Sequence, residues 1–463
     1  MGTERSTSPT VLLVLAVGVL VVAAVAAGAA WGAAPARAAD PPGTLQWTRN
    51  WLPKNVEEIF DVELVRARNG DLVIAGTAQR FDGDTDFAIA RYSPDGTRRW
   101  ARVFDTSADH RLLLEGLAVD RAGDAYLVGS AEKTATQWCT MKVGPTGVLR
   151  WVRLLSGPAG KGASKDVARA VGCDSSGAVY VAGALGRAGQ SGDIALVKYS
   201  SAGVRRWTRY MGGVGHAFDD PTCLVVDARD RVFVGGMVVD DDADACVLRY
   251  TTSGERRWLR IWDGAFVNDI DRVHDIAVGP TGIAATGTTG DAAGKKGGLV
   301  LKLRLSDGAD VWVPRIVAYP NVDVVYRAVA TNAAGHVAVT GSRYDRLSPS
   351  YPDYDYDMTS SLITDAVSPP ETYGTMGAGT ATGRDVVLTR MSWMIVTGSL
   401  YWDGVGDLMA HTFRYKAGSA GGWVVDKTVA GRLVTGERLV VTSDWVFVAG
   451  TNGDKLMLLK YVR

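Results

Sequence analysis

The 463-residue chain has only four cysteines and five histidines, and neither set is arranged for chemistry. Cys139, Cys173, Cys223 and Cys246 form no CxxC pair and have no histidine at metal-ligand spacing, which excludes a zinc-ribbon or thioredoxin-type site. Cysteines so widely spaced cannot staple a small disulfide scaffold, so each is expected to be a buried free thiol within a strand. There is no Gly-x-Ser-x-Gly elbow, no HExxH helix and no phosphate-cradling glycine loop, which removes common signatures of hydrolases and nucleotide enzymes. Net charge is missing too, since 50 lysines and arginines balance 50 aspartates and glutamates. Without a global field the chain has no pull on nucleic acid. Long polar helical stretches are absent, and short alternating apolar runs with 55 glycines take their place. That pattern marks β-structure with many turns.

The first residues differ from all that follows. Arg5 precedes the apolar run Val11 to Ala30, and Ala36-Arg37-Ala38 supplies the small residues of a signal-peptidase site. Residues 1–38 read as a secretory signal cleaved after Ala38; uncleaved, the run matches the about 20 residues of a membrane anchor. Either way residues 39–463 are expected outside the cytoplasm, secreted or held at the cell envelope.

Those residues repeat. Strands of the form VxVAG end at Gly76, Gly129, Gly183, Gly236, Gly287, Gly341, Gly398 and Gly450, with steps of 53, 54, 53, 51, 54, 57 and 52 residues. Each leads through a loop into a second strand, commonly closed by a basic-aromatic pair ("DFAIARY", "DIALVKY", "DACVLRY", "DKLMLLKY"), and in most units a glycine turn and a tryptophan follow. In the third unit the strands are expected at Ala168 to Cys173, Ala178 to Val181, Asp193 to Tyr199 and Val204 to Tyr210. Four short strands per unit is one propeller blade, which must stack on its neighbours because it cannot bury both faces alone. The Gly-x3-Trp step places the repeat tryptophans at Trp47, Trp100, Trp151, Trp207, Trp258 and Trp312, with Trp423 in the seventh unit. Trp47 comes before any complete unit, and the chain ends on a Lys460-Tyr461 pair with no tryptophan strand after it. The spacing therefore predicts an all-β, eight-bladed β-propeller of four-stranded antiparallel blades, closed by the N-terminal strand pairing with the C-terminal blade.

"DIALVKYSSAGVRRW" together with "GCDSSGAVYVAG" resembles the bacterial β-propeller repeat family called SBBP, over nearly all of residues 39–463 and most weakly in the sixth unit. The Gly-x3-Trp step is also similar to the tryptophan docking of eight-bladed quinoprotein dehydrogenases and of outer-membrane assembly lipoproteins. The resemblance implies a fold and no activity. Quinone enzymes of that type pair adjacent cysteines against the cofactor, and this chain has none.

Candidate sites fall where the pattern varies. Alternating aspartates at Asp82, Asp84 and Asp86, at Asp240 and Asp242, and at Asp353 and Asp355 present the oxygens that calcium prefers, although none continues into an EF-hand. Calcium is the one cofactor these runs allow. The last aspartate of each unit's run, as at Asp86, Asp193, Asp244, Asp407 and Asp454, also suits a turn cap. The atypical loop Ser342 to Asp357 carries Tyr344, Tyr351, Tyr354 and Tyr356, amphipathic rings able to stack on sugars or grip a protein surface. His110, His216 and His274 lie near connections between units, where His216, His274, Asp219, Asp220 and Asp271 offer an acid-base or metal grouping. Arginines two residues after the tryptophans share their strand face and can stack on them. No catalytic residue is assigned. The expected function is a non-catalytic binding scaffold for protein or glycan partners at the envelope, the alternative being a polysaccharide lyase or hydrolase working at the central funnel.

Overall fold

The structure, a computed structural model, describes residues 40–463 apart from 106–110, 134, 159–165, 188–191, 214–217, 265–269, 291–294, 320–321, 346–355, 365–370, 375–380, 403–406, 416–422 and 428–432. The described residues form eight four-stranded antiparallel sheets and no helix. Each sheet is one propeller blade, covering in order 56–104, 111–155, 167–211, 220–262, 272–317, 322–374, 381–427 and 438–462. The eighth blade takes its outermost strand, Leu45–Trp51, from the other end of the chain, where it pairs antiparallel with Lys455–Val462. The ring thus closes as the terminal patterns predict.

Hydrophobic burial explains the ring. The two middle strands of a blade are apolar on both faces, as in Val179–Leu185, which is buried throughout. A single sheet leaves both those faces wet, so the core is divided into eight clusters, each shared by two successive blades. One cluster joins Ile59 and Leu72 of the first blade to Phe447 and Leu458 of the eighth, sealing the seam. In the third blade the strands are Val167–Cys173, Val179–Leu185, Asp193–Tyr199 and Arg205–Met211, within a few residues of the expected bounds. The fifth blade departs from the pattern. Its outer strand shrinks to Arg315–Val317, and Trp312 sits in a bend before it. Pro314 has no N–H for the ladder, so pairing with Val300 can begin only at Arg315.

The tryptophan step is a latch between blades. A Cβ on Gly96 would press on Trp47, on Gly147 against Trp100, on Gly203 against Trp151, on Gly254 against Trp207, on Gly308 against Trp258, and on Gly43 against Trp423. In each case an outer-strand indole of one blade covers a glycine of the next, and the two pairs involving Trp47 and Trp423 fasten the N-terminal strand on both sides. Gly203 has φ +78°, a left-handed turn conformation that also disfavours any side chain. The arginine two residues on completes the latch: Arg49, Arg153 and Arg209 donate to the carbonyls of Gly96, Gly203 and Gly254 at 2.7–2.8 Å. Their guanidinium groups lie 5.0, 5.5 and 5.3 Å from the centroids of the Trp47, Trp151 and Trp207 rings.

Antiparallel order also sorts the connections. Links from first to second strand and from third to fourth, such as the Asp174–Gly177 and Ser200–Gly203 turns, are short and closed by backbone hydrogen bonds. Links from second to third strand and from blade to blade emerge on the opposite face. That face carries the aspartate runs at Asp82–Asp86 and Asp240–Asp244.

Candidate functional site

The innermost strands surround an axial cavity of ≈ 290 Å³, lined by residues from all eight blades. Its geometry begins with the repeat glycines. Opposite each one the inner strand contains a β-bulge, at Asp61 and Val62, Glu115, Arg169, Thr222, His274, Arg327 and Arg384 in the first seven blades. In the eighth, Glu437 and Arg438 both face Ala449. The bulge pushes a carbonyl into the space where a side chain on the glycine would sit. A Cβ would lie 1.8 Å from Leu113 O at Gly129, 2.1 Å from Val167 O at Gly183, 1.8 Å from Arg272 O at Gly287 and 1.9 Å from Thr435 O at Gly450. Only glycine permits the bulge, and the bulge re-aims a side chain. In blades two to seven the bulge residue lines the cavity, and Glu63 and Arg438 do so in the first and eighth.

Seven of the eight bulge sites carry an ionisable side chain, and most of the charges are engaged. Arg169 bridges Glu115 at 2.9 Å and Asp220 at 3.2 Å, and Arg272 also grips Asp220. Arg438 donates to Glu63 at 2.9 Å across the seam, and Arg384 reaches Glu437 at 3.5 Å. Asp275 accepts from Ile276 N at 2.8 Å and from Val329 N of the next blade at 2.9 Å; Asp385 does the same with Val386 N and Leu439 N, both at 2.8 Å. These aspartates satisfy amides on the free, axis-facing edge of the innermost strands. Burial still penalises their charge, pushing Asp275 up to about 7 and Asp385 up to about 6. Burial, then Arg272, Arg327 and Lys296, press His274 down to about 3, so its imidazole is neutral. The cavity can hold and orient polar ligands, and among the described residues that line it no nucleophile is hydrogen-bonded to a base.

The other candidate residues lie elsewhere. Asp86 is fully buried and bound by Arg80 at 2.6 Å, while Asp82 and Asp84 sit at the surface. Arg80 also lies 3.7 Å from Asp105, so a guanidinium already stands between two carboxylates there. The fourth blade inverts this. Asp240 occupies the place of Arg80, four residues after the repeat glycine, and the carboxylates of Asp242, Asp244 and Asp263 lie within 4.8 Å of one another. The buried Oδ1 of Asp244 accepts no hydrogen bond. Burial, then Asp263, Asp242, Asp271 and Asp240, push Asp244 up to about 6. Among the described residues this is the one carboxylate group close enough to share an ion. Asp353, Asp355, Tyr351 and Tyr354 lie outside the described residues. Tyr344 stands opposite Tyr356 on paired strands, and Arg343 pairs with Asp357 at 2.9 Å.

The histidine grouping does not come together in the described residues. His110 and His216 lie outside them, and His274 is axial. Asp219 and Asp271 are clasps on the loop-bearing face: Asp219 holds Gly213 N and Val239 N, and Asp271 holds Gly264 N and Gly290 N. Asp166 does the same for Gly157 N and Gly186 N. All four cysteines are free thiols; Cys139, Cys223 and Cys246 are buried as expected while Cys173 is half-buried, and burial pushes Cys139 up to about 12. Sequence reasoning missed the axial set, Glu63, Glu115, Arg169, Arg327, Arg384 and Arg438. Its signal is a polar residue 13 or 14 positions before a repeat glycine, as in Glu115 before Gly129 and His274 before Gly287.

A family described as "Domain of unknown function (DUF5122) beta-propeller" matches residues 68–98. No curated protein matches the chain. Among solved structures, the polysaccharide lyase Uly1 is 9% identical, with TM-score 0.46, covering 90% of this chain and 99% of its own. The α-L-arabinanase of Penicillium chrysogenum complexed with arabinobiose is 12% identical, with TM-score 0.40, covering 91% and 98%. The β-propeller domain of the Trilobed protease from Pyrococcus furiosus is 7% identical, with TM-score 0.39, covering 88% and 94%. At such identities the likeness bears on no activity of this chain.

Proposed function

We propose that the chain is an exported, non-catalytic binding propeller that takes a protein or glycan partner on its loop-bearing face, around the mouth of the axial cavity. The engagement of the axial acids carries this reading. Glu63 and Glu115 hold arginines, and Asp275 and Asp385 hold backbone amides with both oxygens. A lyase or hydrolase requires a group within reach of the proton it moves, whereas these groups hold the ring together. Export rests on the Val11 to Ala30 run and the Ala-x-Ala site. The repeats are of the SBBP type on their Lys-Tyr, Gly-x3-Trp and VYVAG spacing.

The test is capture from envelope extract and from a glycan array, run beside a turnover assay on the captured polysaccharides. Saturable capture without new chain ends supports the proposal. Chain ends that appear with the wild type and vanish with Asp275→Asn overturn it in favour of the polysaccharide-acting enzyme.

A further inference from the structure

Zero net charge conceals a segregation of charge around the ring. The fourth strand of each sheet lies farthest from the axis, and in blades one to four these strands are Arg98–Phe104, Leu149–Leu155, Arg205–Met211 and Arg256–Trp262. Together they carry eleven arginines and no aspartate or glutamate, and nine of the eleven are exposed. The outer strands of the other four blades carry three basic and two acidic residues between them, so the excess occupies one half of the rim. Few of these charges are answered from within. Among the described residues only Arg99, Arg257 and Arg260 reach a carboxylate, and Asp71, which Arg99 meets at 3.1 Å, is already held by Arg91 at 2.9 Å. Arg153 and Arg209 each give an N–H to a latch carbonyl, which leaves their charge intact. An edge strand needs charge to discourage pairing with other sheets, but acids serve that end as well as bases. A belt of one sign repels itself and attracts an anion.

We propose that the outer rim of blades one to four binds a linear acidic polysaccharide, its carboxylate or sulfate groups meeting the arginines of successive blades. The extent of the belt asks for an extended ligand, since a small anion would be satisfied by one blade. The rim of a ring is convex, so a flat anionic bilayer would touch it along a tangent, whereas a flexible chain can follow it from blade to blade. Two grooves lie on that path. One, of ≈ 630 Å³, joins Ser156 and Pro158 after blade two to the outer strand of blade three. The other, of ≈ 560 Å³, lies between blades three and four and is lined by Lys198, Ser200 and Thr252. Arg206 and Trp207 border both, so the grooves adjoin at that strand. Serine and threonine hydroxyls along them can donate to and accept from sugar hydroxyls. A single-stranded nucleic acid would need free aromatic faces for its bases, and the indoles here are occupied. Trp151 and Trp207 pack on Gly203 and Gly254 of the next blade and carry Arg153 and Arg209 over their rings. Recognition therefore rests on charge.

This site is separate from the mouth of the axial cavity and stands whatever the axis takes. Its test is binding of the full chain to polygalacturonate and to dextran sulfate, against neutral dextran, phosphatidylglycerol vesicles and single-stranded DNA. The two acidic polysaccharides are expected to bind at low salt and to be released by about 0.5 M NaCl, where the screening length is only a few ångströms. Dextran should not bind, and vesicles and DNA should bind about tenfold or more weakly. Arg205→Gln with Arg206→Gln should weaken polysaccharide binding about tenfold or more, as for loss of charge-assisted contacts, and Arg205→Lys with Arg206→Lys should keep most of it. Both arginines are exposed, and thermal unfolding of each variant reports that the ring is intact. Arg111→Gln with Arg121→Gln removes the same charge from exposed positions on the inner side of blade two and should leave binding unchanged. Absence of salt-sensitive binding, equal losses in the two glutamine pairs, or vesicles or DNA binding as tightly as the polysaccharides overturns the inference. Partner capture on the loop-bearing face is scored at about 0.5 M NaCl, where the belt is screened. Failure there removes the proposed function and leaves the rim, and loss of the salt-sensitive binding removes the rim alone.

Discussion

A single residue type carries the construction of the axis. The eight-fold glycine is plain in the sequence, where it reads as the end of a strand. Its reason lies across the sheet, in a bulge that no one-dimensional pattern displays. Two substitutions separate the effects. Gly83 has φ +85° with nothing within 4 Å of a Cβ, so Gly83→Ala bears only the left-handed strain, about 1–2 kcal/mol. Gly129→Ala places a Cβ 1.8 Å from Leu113 O, and the inner strand has to give way. Denaturant unfolding should show a loss beyond about 4 kcal/mol or no folded protein. Equal losses at the two sites would contradict the bulge account.

At the scale of elements, the strands and latches were largely legible because alternation and the Gly-x3-Trp step survive in most units. Trp312 keeps the Gly-x3-Trp spacing but sits in a bend, because Pro314 delays the outer strand to Arg315. The blade-four carboxylates were seen as an aspartate run, but the missing guanidinium shows only when blades are superposed in register. Asp240→Arg should rebuild the arrangement of Arg80 with Asp86 and Asp105 and raise Tm by about 1–3 °C, the modest gain of a partly exposed pair in a large domain. An unchanged or lowered Tm would count against it. Calcium is read in the same scan: an ion held by Asp242, Asp244 and Asp263 raises Tm in the wild type and not in Asp240→Arg. Removing residues 41–52 deletes the outer strand of blade eight and two latches, Trp47 on Gly96 and Trp423 on Gly43. Such a chain should lose cooperative unfolding, and a sharp transition at the original temperature would contradict the closure.

For the whole molecule, the axial site was illegible because its members sit one per blade, at the position where the repeats differ most. Their chemistry has a global consequence. Asp275, Asp385 and Asp219 have folded values raised to about 7, about 6 and about 6 from 3.8. A raised carboxyl favours the folded state while it is protonated, so this stability is present below about pH 4 and is lost as pH rises through 6 to 7. Asp71, Asp174 and Asp227, lowered by hydrogen bonds to side chains and backbone despite burial, contribute the opposite slope below 3.8. His274, lowered to about 3, opposes this slope up to pH 6.5, but the three carboxyls together outweigh it, so thermal stability should fall from pH 5 to pH 8, and Asp275→Asn should flatten that fall. A wild-type profile that rises over this window would refute the assignment.

On the proposed function, partners are read at the axis from the loop-bearing face. Thr222→Cys puts a thiol on the cavity wall, where a bulky maleimide acts as a plug. Burial holds all four native thiols protonated and slow to react, so the introduced one takes the label. Val148→Cys, at an outer turn 52% exposed, is the control. Partner capture by the two labelled proteins should be lost with the plug at 222 and kept with the label at 148. Capture that survives the plug and fails with the outer label would contradict the account.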